Sequence, residues 1–329
     1  MWTKVIYMKT KLENMIIPEN FTAYTAEKAT EKNAFFRSGI VQANPQLAEL
    51  LRMGGKTIVM PFVKPLSGDS EIPTEDGDLT INNITTSEDI ARRQLRAKVF
   101  GENQLASLLS GDNVMDRIAD GIGDYWSTEY TKILLATCKG VFAKCTGKVN
   151  DITGKTGNAA LFNTSDAIDT KFLLGDAAEN IGAVAVNSAV YAYMLKQDQI
   201  DIVPDSMGNG TIKVYKPLMA EVIIDDAIPF DNTSKVASMY MFGKGAFGFV
   251  EDLTGIIGHE LGREKLKGLG DNYLVTRKQY VLHPLGISWK EPSTSPVSPT
   301  NADLGTAARW DMVKDAKNIY LAEFKFKIA

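Results

Sequence analysis

Residues Asp112–Lys144 read DNVMDRIADGIGDYWSTEYTKILLATCKGVFAK. Apolar or ring-bearing side chains recur at Val114, Ile118, Ile122, Tyr125, Trp126, Tyr130, Ile133, Leu134 and Val141, with Thr137 on the same line. That spacing of three and four is one stripe of an amphipathic helix. Asp112 suits the N-cap, Asp116 the first turn, and Lys139 and Lys144 the negative end of the helix dipole. At 1.5 Å per residue such a helix is about 50 Å long. Helices in globular proteins average about three turns, so this one is expected to act as a beam spanning the molecule.

N-terminal to the beam, Lys56–Phe100 has the pattern of a long hairpin. Thr57–Val63 and Leu79–Thr86 are rich in β-branched residues, with Pro61, Pro65, Gly68, Pro73 and Gly77 among them. Its tip is acidic through Asp69, Glu71, Glu75, Asp76 and Asp78. After it, Leu95, Ala97 and Val99 alternate with Arg96 and Lys98, the period of a half-buried strand with a basic outer face. A two-stranded ribbon projecting from a core is marginally stable in water. It needs a neighbour, through edge pairing or side-chain contact, and this is a physical reason to expect assembly. Before the hairpin, the first fifty residues read as an arm with a helical piece around Pro45–Met53, ended by Gly54-Gly55. Phe35-Phe36 and Ile40-Val41 are spaced like a segment laid on another surface.

C-terminal to the beam, a polar loop to Thr164 gives way to alternating helix and strand. A helix is expected over Ser165–Asn180, a strand over Ala183–Val186, a helix over Ser188–Gln197, and strands over Glu221–Ile224 and Val236–Phe242. Leu274–Trp289 is a long strand region and Glu291–Thr300 a Pro/Ser/Thr connector. At the end, Tyr320, Ala322, Phe324, Phe326 and Ile328 alternate with Glu323, Lys325 and Lys327, which predicts a strand that closes a sheet.

The chain has 329 residues, 44% hydrophobic, enough for a large core in about two domains. Its 36 basic and 40 acidic residues are scattered, net −4, without the footprint of a dedicated nucleic-acid binder. Cys138 and Cys145 lie two helical turns apart, on the order of 10 Å, beyond the reach of a disulfide. Free thiols suit a reducing cytoplasm. The apolar run Val5–Met8 is too short for a signal peptide, and no stretch approaches the roughly 20 apolar residues of a membrane span.

Motifs that could carry chemistry are each better read as structure. Gly243-Lys244-Gly245-Ala246-Phe247-Gly248 spells G-x-G-x-x-G after a predicted strand, but Phe249–Gly258 has no helical stripe to receive a pyrophosphate. A nucleotide-binding enzyme using Gly243–Gly248 is therefore a remote alternative. Gly154-Lys155-Thr156 lacks the earlier P-loop glycine, since Val149 stands there. His259-Glu260 lacks the second histidine of a zinc-protease helix, Arg263 taking its place, and only His283 remains elsewhere, which excludes a histidine-rich metal site. Asp225-Asp226 reads as a turn. No catalytic residue, cofactor or metal is expected. The basic residues Arg92, Arg93, Arg96 and Lys98 are opposite in sign to Glu71, Glu75, Asp76 and Asp78, which motivates charge complementarity between neighbouring subunits.

The order of parts, arm, hairpin, beam, α/β region, long strand and closing strand, resembles the Hong Kong 97-type major capsid proteins of tailed bacteriophages, an α+β fold. The stretches that carry the resemblance are Met15-Ile-Ile-Pro-Glu-Asn-Phe21, Phe36-Arg-Ser-Gly-Ile-Val41, Met60-Pro-Phe62, Leu66-Ser-Gly-Asp-Ser70, Leu95-Arg-Ala-Lys-Val-Phe-Gly101 and Tyr125-Trp126. Gly140-Val-Phe142, Ser188-Ala-Val-Tyr191, Ile223-Ile-Asp-Asp226, Phe242-Gly-Lys-Gly245 and His283-Pro-Leu-Gly286 continue it to the C-terminal quarter. The resemblance implies an N-terminal arm (1–55), an extended loop (56–100), a peripheral domain with a spine helix (101–146 and 258–300) and an axial domain (147–257 and 301–329). Residues 1–14 look like an extension before the family's start at Met15.

By the same resemblance the chain assembles with itself into pentamers and hexamers of an icosahedral shell. That shell encloses double-stranded DNA without sequence recognition. Portal, scaffolding and decoration proteins are implied partners, the virion capsid is the location, and assembly takes place in the bacterial cytoplasm without a membrane. No motif transfers the lysine–asparagine cross-link of some relatives. An encapsulin-like nanocompartment shell would show the same hairpin and helix and is the alternative.

Overall fold

The computed structural model describes residues 18–66, 68–72, 80–110, 114–204, 211–252, 256–266, 268–294 and 296–328. The cap residue Asp112 and the acidic residues Glu75, Asp76 and Asp78 lie outside them. The beam is a helix over Val114–Lys144, 31 residues, about 46 Å at 1.5 Å per residue. Ile122, Trp126, Tyr130, Ile133, Leu134, Cys138 and Val141 form its buried stripe.

In chain order the strands are β1 (Val41–Ala43), β2 (Thr57–Val63), β3 (Thr86–Arg92), β4 (Gln94–Asn103), β5 (Val149–Asp151), β6 (Ile181–Val186), β7 (Ile200–Pro204) and β8 (Thr211–Tyr215). They continue with β9 (Ala220–Ile224), β10 (Val236–Gly243), β11 (Phe247–Glu251), β12 (His259–Glu264), β13 (Asp271–Pro284), β14 (Ile287–Trp289), β15 (Trp310–Met312) and β16 (Leu321–Lys327).

One sheet runs β1-β11-β13-β12, with β4 along the opposite edge of β13. The beam lies on it through rings. Tyr130 meets Tyr280 at 5.0 Å and Phe249 at 5.3 Å between centroids, and Trp126 donates its indole N–H to Thr276. The second sheet runs β5-β16-β10-β6-β9-β8-β7. Its inner strand β10 sends Tyr240 and Phe242 toward the beam's cluster and Met239 and Met241 into a second one with Phe162, Val184, Phe324 and Phe326. Burial on both faces explains the apolar run Val236–Phe242, interrupted only by Ser238, where a half-exposed strand would alternate.

The structure corrects several expectations. The arm holds a helix, Pro18–Lys32, that the sequence reading lacked. Among its described side chains Ala29 is buried in the beam's cluster, and polar contacts dock the helix: Lys32 to Asp124 at 2.6 Å, the Lys28 ammonium to the Asp120 carbonyl, and Thr25 against His259 at 3.0 Å. Burial pushes His259 down to about 4. The hairpin's second strand is Thr86–Arg92, pairing Val63↔Thr86 through Thr57↔Arg92, not Leu79–Thr86. Its polar residues Ser87, Glu88 and Asp89 disguise it.

On β4 the faces are inverted. Phe100 packs on Tyr125 at 5.2 Å and Gln94 is buried, while Ala97 and Val99 are exposed beside Arg277 and Val275 and Leu95 is half-buried beside the buried Gln279. One phenylalanine ring outweighs the smaller alternating set. The helix expected over Ser165–Asn180 ends at Lys171, and the chain kinks at Gly175, φ +62°. Glu323, read as outward, is buried because β16 lies inside the sheet, and it accepts a hydrogen bond from Ser238 Oγ at 2.9 Å. Finally, β11, implied to be axial, belongs to the beam's sheet. The β14–β15 pair packs with the beam as well, through Trp289, Trp310 and Ile287.

Candidate assembly surfaces

The root of the hairpin is built into the body. Ile58 and Ala91 pack with Leu47, Leu51 and Val281. Between them Asp89 is buried, with one carboxylate oxygen 2.9 Å from His283 Nε2 and the other accepting the Gly286 N–H at 2.8 Å. The Ile90 N–H donates to Ser288 Oγ. Burial, the largest influence on Asp89, raises its pKa; the hydrogen bond and charge of His283, the Gly286 amide and the Lys314 charge outweigh it, and the net result is lowered. The ribbon's direction is thus set by a polar clamp that charge patterning alone did not reveal.

Beyond the root, the ribbon leaves the body. Val63, Leu66, Ile72, Ile81 and Ile84 are exposed, the two isoleucines at 72 and 81 almost completely. Glu71 stands among them, its carboxylate accepting the Thr80 N–H and held by Thr80 below the usual carboxylate range.

The basic residues fall into two groups. Arg92 is buried: its guanidinium donates to the Lys56 carbonyl at 2.7 Å and the Pro296 carbonyl at 2.6 Å, and Nε is 3.1 Å from Glu291. Arg93 donates to the Leu51 carbonyl and to Gln279. These two hold the root of the ribbon from within, because they sit where β3 turns into β4 beneath the connector 291–300. A charge so engaged is not presented to a neighbour. Arg96, which donates to Asn301 Oδ1 at 3.0 Å, is half-buried, and Lys98 is exposed. The structure therefore does not bring the four basic residues together as one outer face.

The glycine motif is a strand, a turn and a strand. Gly243 ends β10, Gly245 holds φ +67°, and β11 begins at Phe247. A Cβ at Gly243 would lie 2.6 Å from that of Tyr320, and one at Gly248 2.9 Å from Leu47 Cδ1. The glycines serve close packing, and the turn leads into β11 rather than into the helix that would receive a phosphate. His259 lies in β12, not in a helix. Asp225 and Asp226 form a turn, accepting from the Ala227 and Ser188 amides. Among the described residues no three His, Cys, Asp or Glu side chains gather as metal ligands, and no helix is long and apolar enough to cross a membrane.

Comparison with known proteins agrees with this architecture. The Gp13-like family, described as major capsid protein 13-like, matches residues 109–319. The major capsid protein of Bacillus phage SPP1 is 32% identical over 326 residues, covering 97% of this chain and 98% of that one. Among solved structures, the cyanophage Pam1 capsid matches with TM-score 0.54 at 9% identity, over 91% of this chain and 93% of its own. The capsid of Ralstonia phage GP4 gives 0.53 at 9% identity, over 91% and 92%. These structural likenesses show the fold, which is the Hong Kong 97-type capsid fold. With a family match over most of its length and a relative matched end to end, the chain belongs to the Gp13-like major capsid proteins of bacteriophages, structural proteins of the virion rather than enzymes.

Proposed function

We propose that the chain builds the icosahedral shell of a tailed double-stranded DNA phage by closing into pentamers and hexamers, and that the β2–β3 ribbon is its principal reach toward a neighbouring copy. The observation that carries this is the ribbon itself: from Val63 onward its described apolar side chains Val63, Leu66, Ile72, Ile81 and Ile84 are exposed. A shell covers them by symmetry, and many modest contacts then add up. In this reading residues before Lys56 form the arm, Lys56–Arg93 the extended loop, and the beam with its five-stranded sheet the peripheral domain. The seven-stranded sheet forms the axial domain around the five-fold and six-fold axes. DNA is enclosed without sequence recognition, portal, scaffolding and decoration proteins complete the particle, and assembly takes place in the host cytoplasm.

The charges contribute specificity. The acidic residues Glu71, Glu75, Asp76 and Asp78 of one copy meet Arg96 and Lys98 of the next, while Arg92 and Arg93 keep the ribbon in place. Electron microscopy of the purified protein, with and without scaffold, tests the reading. Shells of uniform size are expected; a protein that stays monomeric under every condition refutes it. Reversal of Glu71 and Glu75 to Lys is expected to impair assembly at low salt, and Arg96→Glu with Lys98→Glu in the same chain to restore it. Assembly unaffected by either pair at all salt concentrations removes the charge contact.

A further inference from the structure

Beneath the beam, two side chains of opposite sign meet inside the five-stranded sheet. Glu251 closes β11 opposite Tyr280 of β13, so Lys278, two residues along β13, lies diagonally from it on the same face. The beam covers that face, since Tyr280 meets Tyr130 there. The Lys278 side chain is fully buried and that of Glu251 is 11% exposed. The Lys278 amino group donates to Glu251 Oε1, and the Tyr130 hydroxyl donates to Glu251 Oε2 at 2.9 Å. Burial raises the Tyr130 pKa well above the ordinary tyrosine value, so that proton stays in place.

A charged lysine is poorly served here. An ammonium has three N–H donors, and among the described residues Glu251 is the one acceptor that receives any of them. Arg96 stands directly opposite Lys278 on β4, which makes a like-charge cross-strand pair. His259 feels the same charge: burial and then Lys278 push it down to about 4. All three strains are relieved when the lysine carries no charge, and among buried rings a proton passed from nitrogen to carboxylate makes the pair neutral. What results is an unprotonated amine held against a carboxylic acid with water excluded, the arrangement that amide formation requires.

We propose that Lys278 and Glu251 condense into a side-chain amide within the chain, a covalent tie between β13 and β11. The amine nitrogen bonds to the Glu251 carboxyl carbon. The protonated Oε1 takes a further proton from that nitrogen and leaves as water, and Oε2 remains as the amide carbonyl. No oxidant or cofactor enters. During the attack negative charge gathers on Oε2, where the Tyr130 hydroxyl already donates. Holding the two groups in contact replaces an encounter in solution and is equivalent to an effective concentration of about 10⁵ M or more. The bond closes the excursion through β12 into a ring beneath the beam. It is internal to one subunit, so it makes no ladder of linked subunits and does not depend on the shell reading.

Mass spectrometry of the intact, purified full chain tests it. The wild type is expected to weigh one water less than its sequence mass. Trypsin is expected to release one branched peptide in which the Glu251 segment is joined through Lys278, with no cleavage after that lysine. Glu251→Gln is expected to reach the same product by losing ammonia, while Lys278→Met and Glu251→Ala keep their full sequence masses. A wild-type chain at its full sequence mass, in free subunits and assembled particles alike, overturns the inference and leaves an ion pair in its place. So does a missing water that persists in Lys278→Met or maps by fragmentation to another residue. The mass and the peptide map are read on the wild type itself, so a variant that fails to fold does not spare the proposal.

Discussion

Asp89 shows what one residue can decide. It lies 194 positions from His283, its partner across the root of the ribbon, and a sequence scan that weighs local pattern sees only a polar residue interrupting a strand. Removing a partner from a buried pair leaves the other uncompensated, so Asp89→Ala is expected to cost about 3 kcal/mol in urea unfolding. Because Asp89 titrates below the ordinary carboxylate value, its contribution is present above about pH 4 and is lost as pH falls through the lowered folded-state value. The difference between wild type and Asp89→Asn should narrow over that interval, and a constant difference down to pH 2 would contradict the assignment. Lys148 is the opposite case. Its ammonium is buried without a hydrogen-bond partner, and burial, opposed by the Cys145 charge, pushes it down to about 8. A base with a lowered folded-state pKa penalises the native state while both states are charged, and the penalty disappears as pH rises from about 8 to about 10.5. Lys148→Met should therefore add about 1–2 kcal/mol at pH 7, after allowance for relaxation around the site, and nothing above pH 11. A chemical-denaturation series across that range decides it.

At the scale of elements, two glycines of the same helix give opposite expectations. A Cβ at Gly140 would stand 2.1 Å from the Leu304 carbonyl oxygen and 2.6 Å from Trp310 Nε1, because the 304–310 segment crosses the beam there, held by the Trp310 indole donating to Leu304. Around Gly121 there is open space within 4 Å. Alanine favours a helix over glycine by about 1 kcal/mol, so Gly121→Ala should raise stability by up to that amount. Gly140→Ala should lower it by about 3 kcal/mol, the upper part of the overpacking range; equal melting shifts for the two would show that the crossing yields. The same contrast marks what the sequence makes legible. The beam could be read because one periodicity runs over many residues with burial that matches it, and β10, β13 and β16 because each is a long run rich in β-branched, apolar or aromatic residues. The helix Pro18–Lys32 could not, since the described polar contacts that dock it, to Asp120, Asp124 and His259, are far away in sequence. Nor could β7 and β8, short strands at the edge of a sheet, whose partners are set by the chain's path. On β4 the alternation was visible but the inward face was chosen by Phe100 against Tyr125, a contact outside the strand. Arg92 and Arg93 were recognisable as a basic cluster, yet only the fold shows that the Lys56, Pro296 and Leu51 carbonyls receive them.

For the whole molecule, the division between what folds the chain and what assembles it can be measured. The core lies in the two sheets and the beam, whereas the ribbon beyond Lys64 is exposed wherever it is described. Exposed segments add little to folding free energy, and shortening a loop lowers the entropy lost on closing it. The Lys64 N–H donates to the Thr85 carbonyl, so these two residues can flank a two-residue turn, and Asn-Gly suits such a turn between twisted strands. A chain in which Asn-Gly replaces residues 65–84 is therefore expected to melt within about 3 °C of the wild type, the shift of a change under 1 kcal/mol in a chain of this size, to keep its circular dichroism, and to form no shells. Its mixture with wild type should poison assembly in proportion to its fraction, because each shortened subunit retains the surfaces that receive a neighbour's ribbon but extends none of its own. Shells of normal yield from the shortened chain would show that the ribbon is decoration on an assembly held elsewhere. A loss of 10 °C or more would show that the ribbon stabilises its own subunit, and the physical argument from an unsupported hairpin would then lose its premise.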